Sequence, residues 1–242
     1  MHPEHAEILT LIRRQSGRPT QDAFLTGYLG NDHPRYPIKA PALRNIAKDW
    51  MKAHRDLSPE AFTKVLSSLA RGKSFTEKIM VGTLLDYAAP AQRTFDPALF
   101  DEWLDHMAGW AEVDSTCTGA YHAAVIPQDW ARWRKMLTRF SKSKNINKRR
   151  ASLVLLCSPI RLKRDVRLLH TAFDHIGKLK GEKEVLITKA ISWILRNAIN
   201  HHKDEVRKYV VLNKGTLPSI AVRETLTVLK TGKKTKSKPA KS

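Results

Sequence analysis

Apolar residues recur along this chain at spacings of three and four, and strict alternation over the length of a strand never occurs. The pattern predicts helices nearly throughout. Ile8, Leu9, Leu11 and Ile12 mark the first, and Phe24, Leu25, Tyr28 and Leu29 the second, closed by Gly30. Pro34, Pro37 and Pro41 break residues 31 to 41 into an extended turn. Leu43, Ile46, Ala47 and Trp50 then resume helical spacing, with Pro41 in the first turn. Ser58 and Pro59 open a helix carrying Phe62, Val65, Leu66 and Leu69, and Ser74 with Glu77 has capping-box spacing for the next. Asp96 and Pro97 start a helix with Phe100, Trp103, Leu104 and Met107 that is expected to run into Gly109. Tyr121 to Ile126 closes at Pro127, and Trp130, Trp133, Met136, Leu137 and Phe140 line another helix. Asn145 or Asn147 caps a helix expected to end before Pro159, and Val166, Leu169, Phe173 and Ile176 form one stopped by Gly177. Three more are expected around 185–198, 206–212 and 220–229.

About a dozen helices in antiparallel pairs of roughly 35 to 45 residues read as an all-α, HEAT-like helical-repeat solenoid. The pairs share no residue-level self-similarity, so the pattern alone leaves a globular helical array open. Residues 1–229 are expected to form the folded domain. Lys230 to Ser242, with six Lys and no acidic residue, is expected to be a disordered basic tail.

Charge narrows the partners. Among 242 residues, 43 Lys and Arg face 23 Asp and Glu, a net charge of +20, and removing the tail still leaves +14. That excess points to a polyanion, with nucleic acid ahead of an anionic membrane surface. No run approaches the ~18 apolar residues of a transmembrane helix. Met1 His2 Pro3 Glu4 His5 carries no basic region followed by an apolar run, so no secretion signal is read and a cytoplasmic protein is expected. Cys117 and Cys157 are too few and too far apart for a disulfide framework or a zinc site, and are expected to be buried.

The candidate chemistry centres on Gly109 Trp110 Ala111 Glu112 Val113 Asp114 Ser115, an aromatic four residues before a carboxylate. The plainest reading is capping, with Gly109 stopping one helix and Asp114 starting the next. Trp50, Trp103, Trp130 and Trp133 are expected in the core, and Trp193, inside the apolar run Ile191 to Leu195, would by pattern alone join them. Arg149 and Arg150, in a basic run with Lys142, Lys144 and Lys148, read equally as a solvated face or a phosphate clamp. His201 and His202 cap or solvate a helix end. No glycine-rich phosphate loop, Gly-x-Ser-x-Gly elbow or His-Glu-x-x-His is present. No helix-hairpin-helix with a lysine nucleophile is evident, so no lyase activity is expected.

Four blocks together resemble the AlkD-type DNA alkylation repair glycosylases, built from HEAT-like repeats. They are Tyr28 with Asn31 and the later Ile38 Lys39 Ala40 Pro41; Trp110 with Asp114; Arg149 Arg150 Ala151 Ser152; and Lys189 to Arg196. The resemblance implies a concave basic groove, a catalytic carboxylate at Asp114, and catalytic-site tryptophans at Trp110 and Trp193. It further implies a phosphate-binding Arg150, a backbone-contacting Arg196 and a duplex-touching Tyr28; Arg149, Lys148, Lys189 and Lys39 are expected as further DNA contacts. Two segments depart from it. His33 Pro34 Arg35 Tyr36 Pro37 replaces a more apolar, glycine-containing loop, and Asn197 Ala198 replaces the usual Glu-Tyr.

The function implied is a cofactor-free, metal-free, monomeric and monofunctional DNA glycosylase acting on cationic N3- and N7-alkylpurines in duplex DNA. The rivals are a non-catalytic HEAT-like nucleic-acid-binding module and a protein-interaction scaffold.

Overall fold

A computed structural model describes residues 1–234. Among these the chain is all-α. In order come α1 (Pro3–Ser16), α2 (Ala23–Leu29), α3 (Ala40–Ala53), α4 (Pro59–Ala70), α5 (Phe75–Tyr87), a 3-10 turn at Ala91–Arg93, α6 (Leu99–Asp105) and α7 (Gly109–Cys117). They are followed by α8 (Ala120–Gln128), α9 (Trp130–Phe140), α10 (Ile146–Leu162), α11 (Val166–Leu179), α12 (Val185–Leu212) and α13 (Ser219–Thr231). Thr20 and Arg35 form one isolated antiparallel bridge. No helix among the described residues is long and apolar enough to cross a membrane.

Local chemistry explains most boundaries. Ser58 accepts a bond from Ala61 N–H at the start of α4, and Ser74 with Glu77 forms a complete capping box at α5. Asn145, not Asn147, caps α10. Gly30, left-handed at φ 71°, returns its N–H to Thr26 and ends α2.

Other boundaries differ from expectation. Pro159 lies inside α10, near its C-terminal end, where a missing N–H costs the helix little length. Gly177 is passed over by α11, and a Cβ there would meet nothing within 4 Å, so only propensity opposed the helix. The helices expected at 185–198 and 206–212 are one element, α12, bent at His202, whose φ of −136° is non-helical. The stretch expected to be a tail begins as helix: α13 reaches Thr231 and Gly232 closes it, while residues 235–242 lie outside the described residues.

The chain divides into two compact units, Met1–Leu137 and Thr138–Ser242. In the first, α1 packs on α3 and α4, and α5 packs on α3, α4, α7 and α8. The apolar face of α3 (Leu43, Ile46, Ala47, Trp50, Met51) and that of α4 (Phe62, Val65, Leu66, Leu69) are buried. His5 of α1 bridges Ser68 of α4 at 2.9 Å and Glu77 of α5 at 3.0 Å. An aromatic cluster joins Phe95, Phe100, Trp103, Tyr121, His122 and Trp133. Trp103 donates its Nε1–H to Ser67 Oγ at 2.8 Å, so its one polar atom is satisfied. Trp50, Trp103 and Trp133 are core as expected, and both cysteines are buried. Trp130, at the first position of α9, is only half-buried.

In the second unit α12 lies against α10, α11 and α13, and α11 lies against α10. From Ala151 to Ile160 every residue of α10 is buried, which erases its amphipathic pattern. Phe173 stacks on Tyr209 with ring centres 3.9 Å apart.

Two buried histidines set an acid limit. Burial holds His122 down to about 3 from 6.5. Burial, against a hydrogen bond to the Ser152 carbonyl, holds His175 down to about 4. Below the unfolded value of 6.5 the unfolded chain takes up protons the folded chain refuses, so stability falls as pH drops from about 6.5 toward 4. Melting temperature measured across that window is expected to decline, and His122→Phe, which keeps the aromatic contacts, is expected to flatten the decline. A wild-type melting temperature independent of pH there would contradict the assignment of neutral buried imidazoles.

Candidate functional site

The Trp110 to Asp114 stretch is not a junction between helices. Gly109 does not stop α6, which ends at Asp105, and Asp114 does not start α8, whose N-cap is Gly119. Both lie in α7, so Trp110 and Asp114, four apart, share one helix face. Both are half-buried.

Three contacts fix that helix. Gly109 has φ 69°, and a Cβ on it would lie 2.0 Å from the Leu29 carbonyl oxygen, so the end of α2 sits directly on the start of α7. A Cβ on Gly82 of α5 would lie 1.8 Å from the Ser115 carbonyl oxygen, so α5 and α7 touch backbone to backbone. Ser115 adds a hydrogen bond to the Ile79 carbonyl at 3.1 Å.

The third contact is Glu112, fully buried in the middle of the stretch. One carboxylate oxygen accepts the Ala108 N–H at 2.8 Å, satisfying a donor at the N-terminus of α7. The other meets His33 Nδ1 at 2.7 Å, which ties the loop after α2 to α7. Nearby, Lys78 donates to the carbonyls of Ala70 at 2.9 Å and His106 at 2.6 Å. Burial pushes its ammonium pKa down, against the negative charges of Glu112 and Glu77, which raise it. Glu112 is therefore the structural carboxylate of this stretch. Its long-range partner His33 has no signature in local spacing.

Closing α2 onto α7 also builds an aromatic surface. Trp110 donates its Nε1–H to the Tyr28 carbonyl at 2.8 Å, and the two rings meet edge to face at 5.5 Å. Phe24 stacks parallel on Tyr28 at 6.3 Å. Phe24 and Tyr28 are 78% and 61% exposed, large apolar rings turned to solvent beside Trp110. The i, i+4 spacing of Phe24 and Tyr28 was the available signal for Phe24. Lys39 is exposed at the N-cap of α3.

The second unit holds the remaining predicted residues. Arg150, Lys189, Trp193, Arg196, Glu224 and Lys234 line a cleft of about 240 Å³. Trp193 is half-buried although Ile191, Ile194 and Leu195 around it are core. Arg150, itself buried, donates to the Leu186 carbonyl, which anchors its guanidinium at the wall. Arg196 Nε donates to the Ser192 carbonyl at 3.1 Å and stands 3.4 Å from Glu224. Glu224 also accepts from Ser192 Oγ at 2.6 Å and pairs with Lys234 at 3.2 Å. Burial would raise its pKa, but the bonds from Ser192 and Lys234 and the charges of Lys234 and Arg196 hold it below the ordinary carboxylate range.

Arg149 has a different setting. Its Nε and Nη2 bind both oxygens of Glu182, at 2.8 and 3.0 Å, and Nη1 reaches the carbonyls of Ser143 and Lys144. It thus fastens the loop before α10 to Glu182, just beyond α11. Lys148 is buried near the start of α10.

The sequence profile of the DNA alkylation repair enzyme family matches residues 14–229. The chain belongs to that family, and with it to the enzymes of DNA alkylation repair. Among solved structures, a protein described as "Predicted DNA alkylation repair enzyme from Enterococcus faecalis" is similar in fold, with a TM-score of 0.69. The two are 17% identical, and the match covers 88% of this chain and 99% of that one. No curated protein matches.

Gly109→Ala tests the seating of α7. A side chain at positive φ, driven into the Leu29 carbonyl, is expected to cost about 2 kcal/mol or more. It should also change tryptophan emission as Trp110 leaves Tyr28. Unaltered melting and emission would show that the two helix ends are not in close contact.

Proposed function

We propose that the chain is a monofunctional DNA glycosylase that hydrolyses the N-glycosidic bond of cationic N3- and N7-alkylpurines in duplex DNA. The observation that carries this reading is the pairing of Trp110 and Asp114 on one face of α7, a helix held by a buried carboxylate and two backbone contacts. A rigid carrier is what an electrostatic catalyst requires, because its charge must be in place before the transition state forms.

The chemistry asks for little else. An alkylated purine carrying a positive charge leaves with the bonding electron pair as a neutral base, so no strong general acid is needed. The deoxyribose is left with oxocarbenium character at C1′, and water supplies the new C1′–O bond and releases a proton. Asp114 is assigned to stabilise the sugar cation and to orient that water. Trp110 supplies a ring face for cationic groups, an interaction of about 0.5 to 2 kcal/mol where water is excluded. Tyr28 and Phe24 extend the aromatic surface toward the duplex.

In the second unit Arg150, Lys189 and Arg196 are assigned to backbone phosphates, supported by their gathering in one cleft with a single carboxylate. The role of Trp193 as a second catalytic-site indole rests on the resemblance. Arg149 is assigned to structure first, since its guanidinium is engaged by Glu182.

Asp114→Asn is the deciding substitution. It keeps shape and removes charge, so folding and DNA affinity should persist while release of N7-methylguanine from a duplex falls by a factor of roughly 10² or more. Uracil, a neutral and poor leaving group, should resist the wild type. Full activity in Asp114→Asn, or efficient uracil release, would defeat the mechanism and favour a non-catalytic DNA-binding module.

Arg150→Ala addresses the phosphate cleft. Affinity for undamaged duplex, measured across a salt series, should fall, and the log-log slope should shrink by roughly 0.9, the value for one phosphate no longer neutralised. A variant that matches the wild type in both would remove Arg150 from the interface.

A further inference from the structure

Among the described residues, the loop between α2 and α3 carries an arginine with no counter-ion. Arg35 Nε and Nη1 are shut off from solvent and meet no acceptor. Its Nη2 has only the Asn31 amide oxygen, at 3.4 Å, long for a charged donor. The guanidinium lies over the Phe75 ring, 4.8 Å from its centre, a contact that offsets little of the cost of desolvating a cation. The backbone cannot easily swing the group away, because Arg35 exchanges both main-chain hydrogen bonds with Thr20 at 2.7 Å.

Arg35 forms part of the wall of a cleft of about 700 Å³, with Arg44, Phe75, Thr83 and Tyr87 among its other lining residues. The cleft also holds two carboxylates, and both have work elsewhere. Asp22 accepts the Leu25 N–H at 2.9 Å and Asp86 the Tyr121 N–H at 3.3 Å. Neither pairs with Arg35 among the described residues. The cleft reaches Ser115, in the helix α7 that carries Trp110 and Asp114, and Thr118, the residue just past its end.

A half-buried arginine whose two unpaired donors are sealed where they stand, on a fixed backbone beside an open cleft, fits an anion that it meets by turning its guanidinium from the Phe75 ring into the cleft. The planar fork of N–H groups matches phosphate oxygens better than a single-atom anion. We infer that Arg35, with the exposed Arg44 near it, takes a phosphate of the DNA backbone, a contact made by the loop in which this chain departs from the family pattern. The inference rests on DNA being the partner and not on catalysis.

The test uses the full chain and undamaged duplex, so that loss of excision cannot mimic failure of the contact. Arg35→Met keeps the packing on Phe75 and removes the charge. Fluorescence anisotropy across a salt series should give weaker binding and a log-log slope smaller by roughly 0.9, with melting temperature held or raised. Arg35→Lys, which keeps a charge, should retain the slope and lose part of the affinity. Wild-type affinity and slope in a folded Arg35→Met would overturn the inference. If Arg35→Met fails to fold, Arg35→Gln is read by the same two criteria. Inorganic phosphate, titrated in a thermal-shift measurement, separates the sources. Stabilisation of wild type but not Arg35→Met, with the DNA slope unchanged between them, would assign the cleft to a small phosphate ligand and overturn the backbone contact.

Discussion

A carboxylate without solvent exposure, Glu112, is the interaction on which the first unit's site depends. An ionised group in such a place is tolerable only when each oxygen is engaged, and both are, by the Ala108 N–H and His33. One bond closes the start of α7, where the helix dipole also favours negative charge. The other fastens the loop after α2, 79 residues earlier in the chain. Lys78 stands close enough to contribute charge while its own donors go to the carbonyls of Ala70 and His106. The catalytic assignment of Asp114 thus relies on a neighbour two residues away that has no chemistry of its own.

That arrangement separates two jobs which the sequence places side by side. Glu112 is buried and saturated, so its charge serves the fold; Asp114 is half-exposed on the face shared with Trp110, where a charge can serve a substrate. The glycines complete the separation. Without a side chain at Gly109 and Gly82, α2 and α5 approach α7 to backbone contact, and the orientation of α7 is set by main-chain atoms. The aromatic surface of Phe24, Tyr28 and Trp110 follows from the same approach, since the Trp110 indole bonds the carbonyl at the end of α2.

Elements with a buried stripe were legible because burial repeats at the helical period. α3, α4 and the Trp133, Met136, Leu137, Phe140 face of α9 sit where the spacing put them, and the Ser74–Glu77 box caps α5. Short polar contacts of fixed spacing were legible for the same reason: cause and effect lie within one turn. What the pattern could not supply was partnership at a distance. Nothing near Gly109 announces the Leu29 carbonyl, and nothing near Glu112 announces His33. Asp114 is no cap on that account: the contacts that place α7, to the Leu29 carbonyl and to His33, lie far from it in sequence. Trp193 departs in the other direction: flanking apolar residues suggested core, whereas Ile191, Ile194 and Leu195 turn inward and leave it half-buried at a cleft. Its place in a functional set came from resemblance, not from periodicity.

Net charge is the coarsest of the sequence signals, and the structure shows why its distribution matters more than its size. Arg149 is matched by Glu182, Arg167 by Asp165 and Lys178 by Asp174, so each of these pairs cancels in the net charge and its cation offers a polyanion little. In the cleft of the second unit the ratio changes, with Arg150, Lys189, Arg196 and Lys234 gathered around Glu224. Glu224 pairs with Arg196 and Lys234, and the Leu186 carbonyl holds Arg150, so the cations of the cleft stand together with few internal ion pairs among the described residues. This leaves the cleft positive. A phosphate entering there competes with one carboxylate, whereas one approaching Arg149 would have to displace a two-point pair already formed. Adjacent arginines, indistinguishable by composition, are in this way separated into a structural residue and a candidate ligand for DNA.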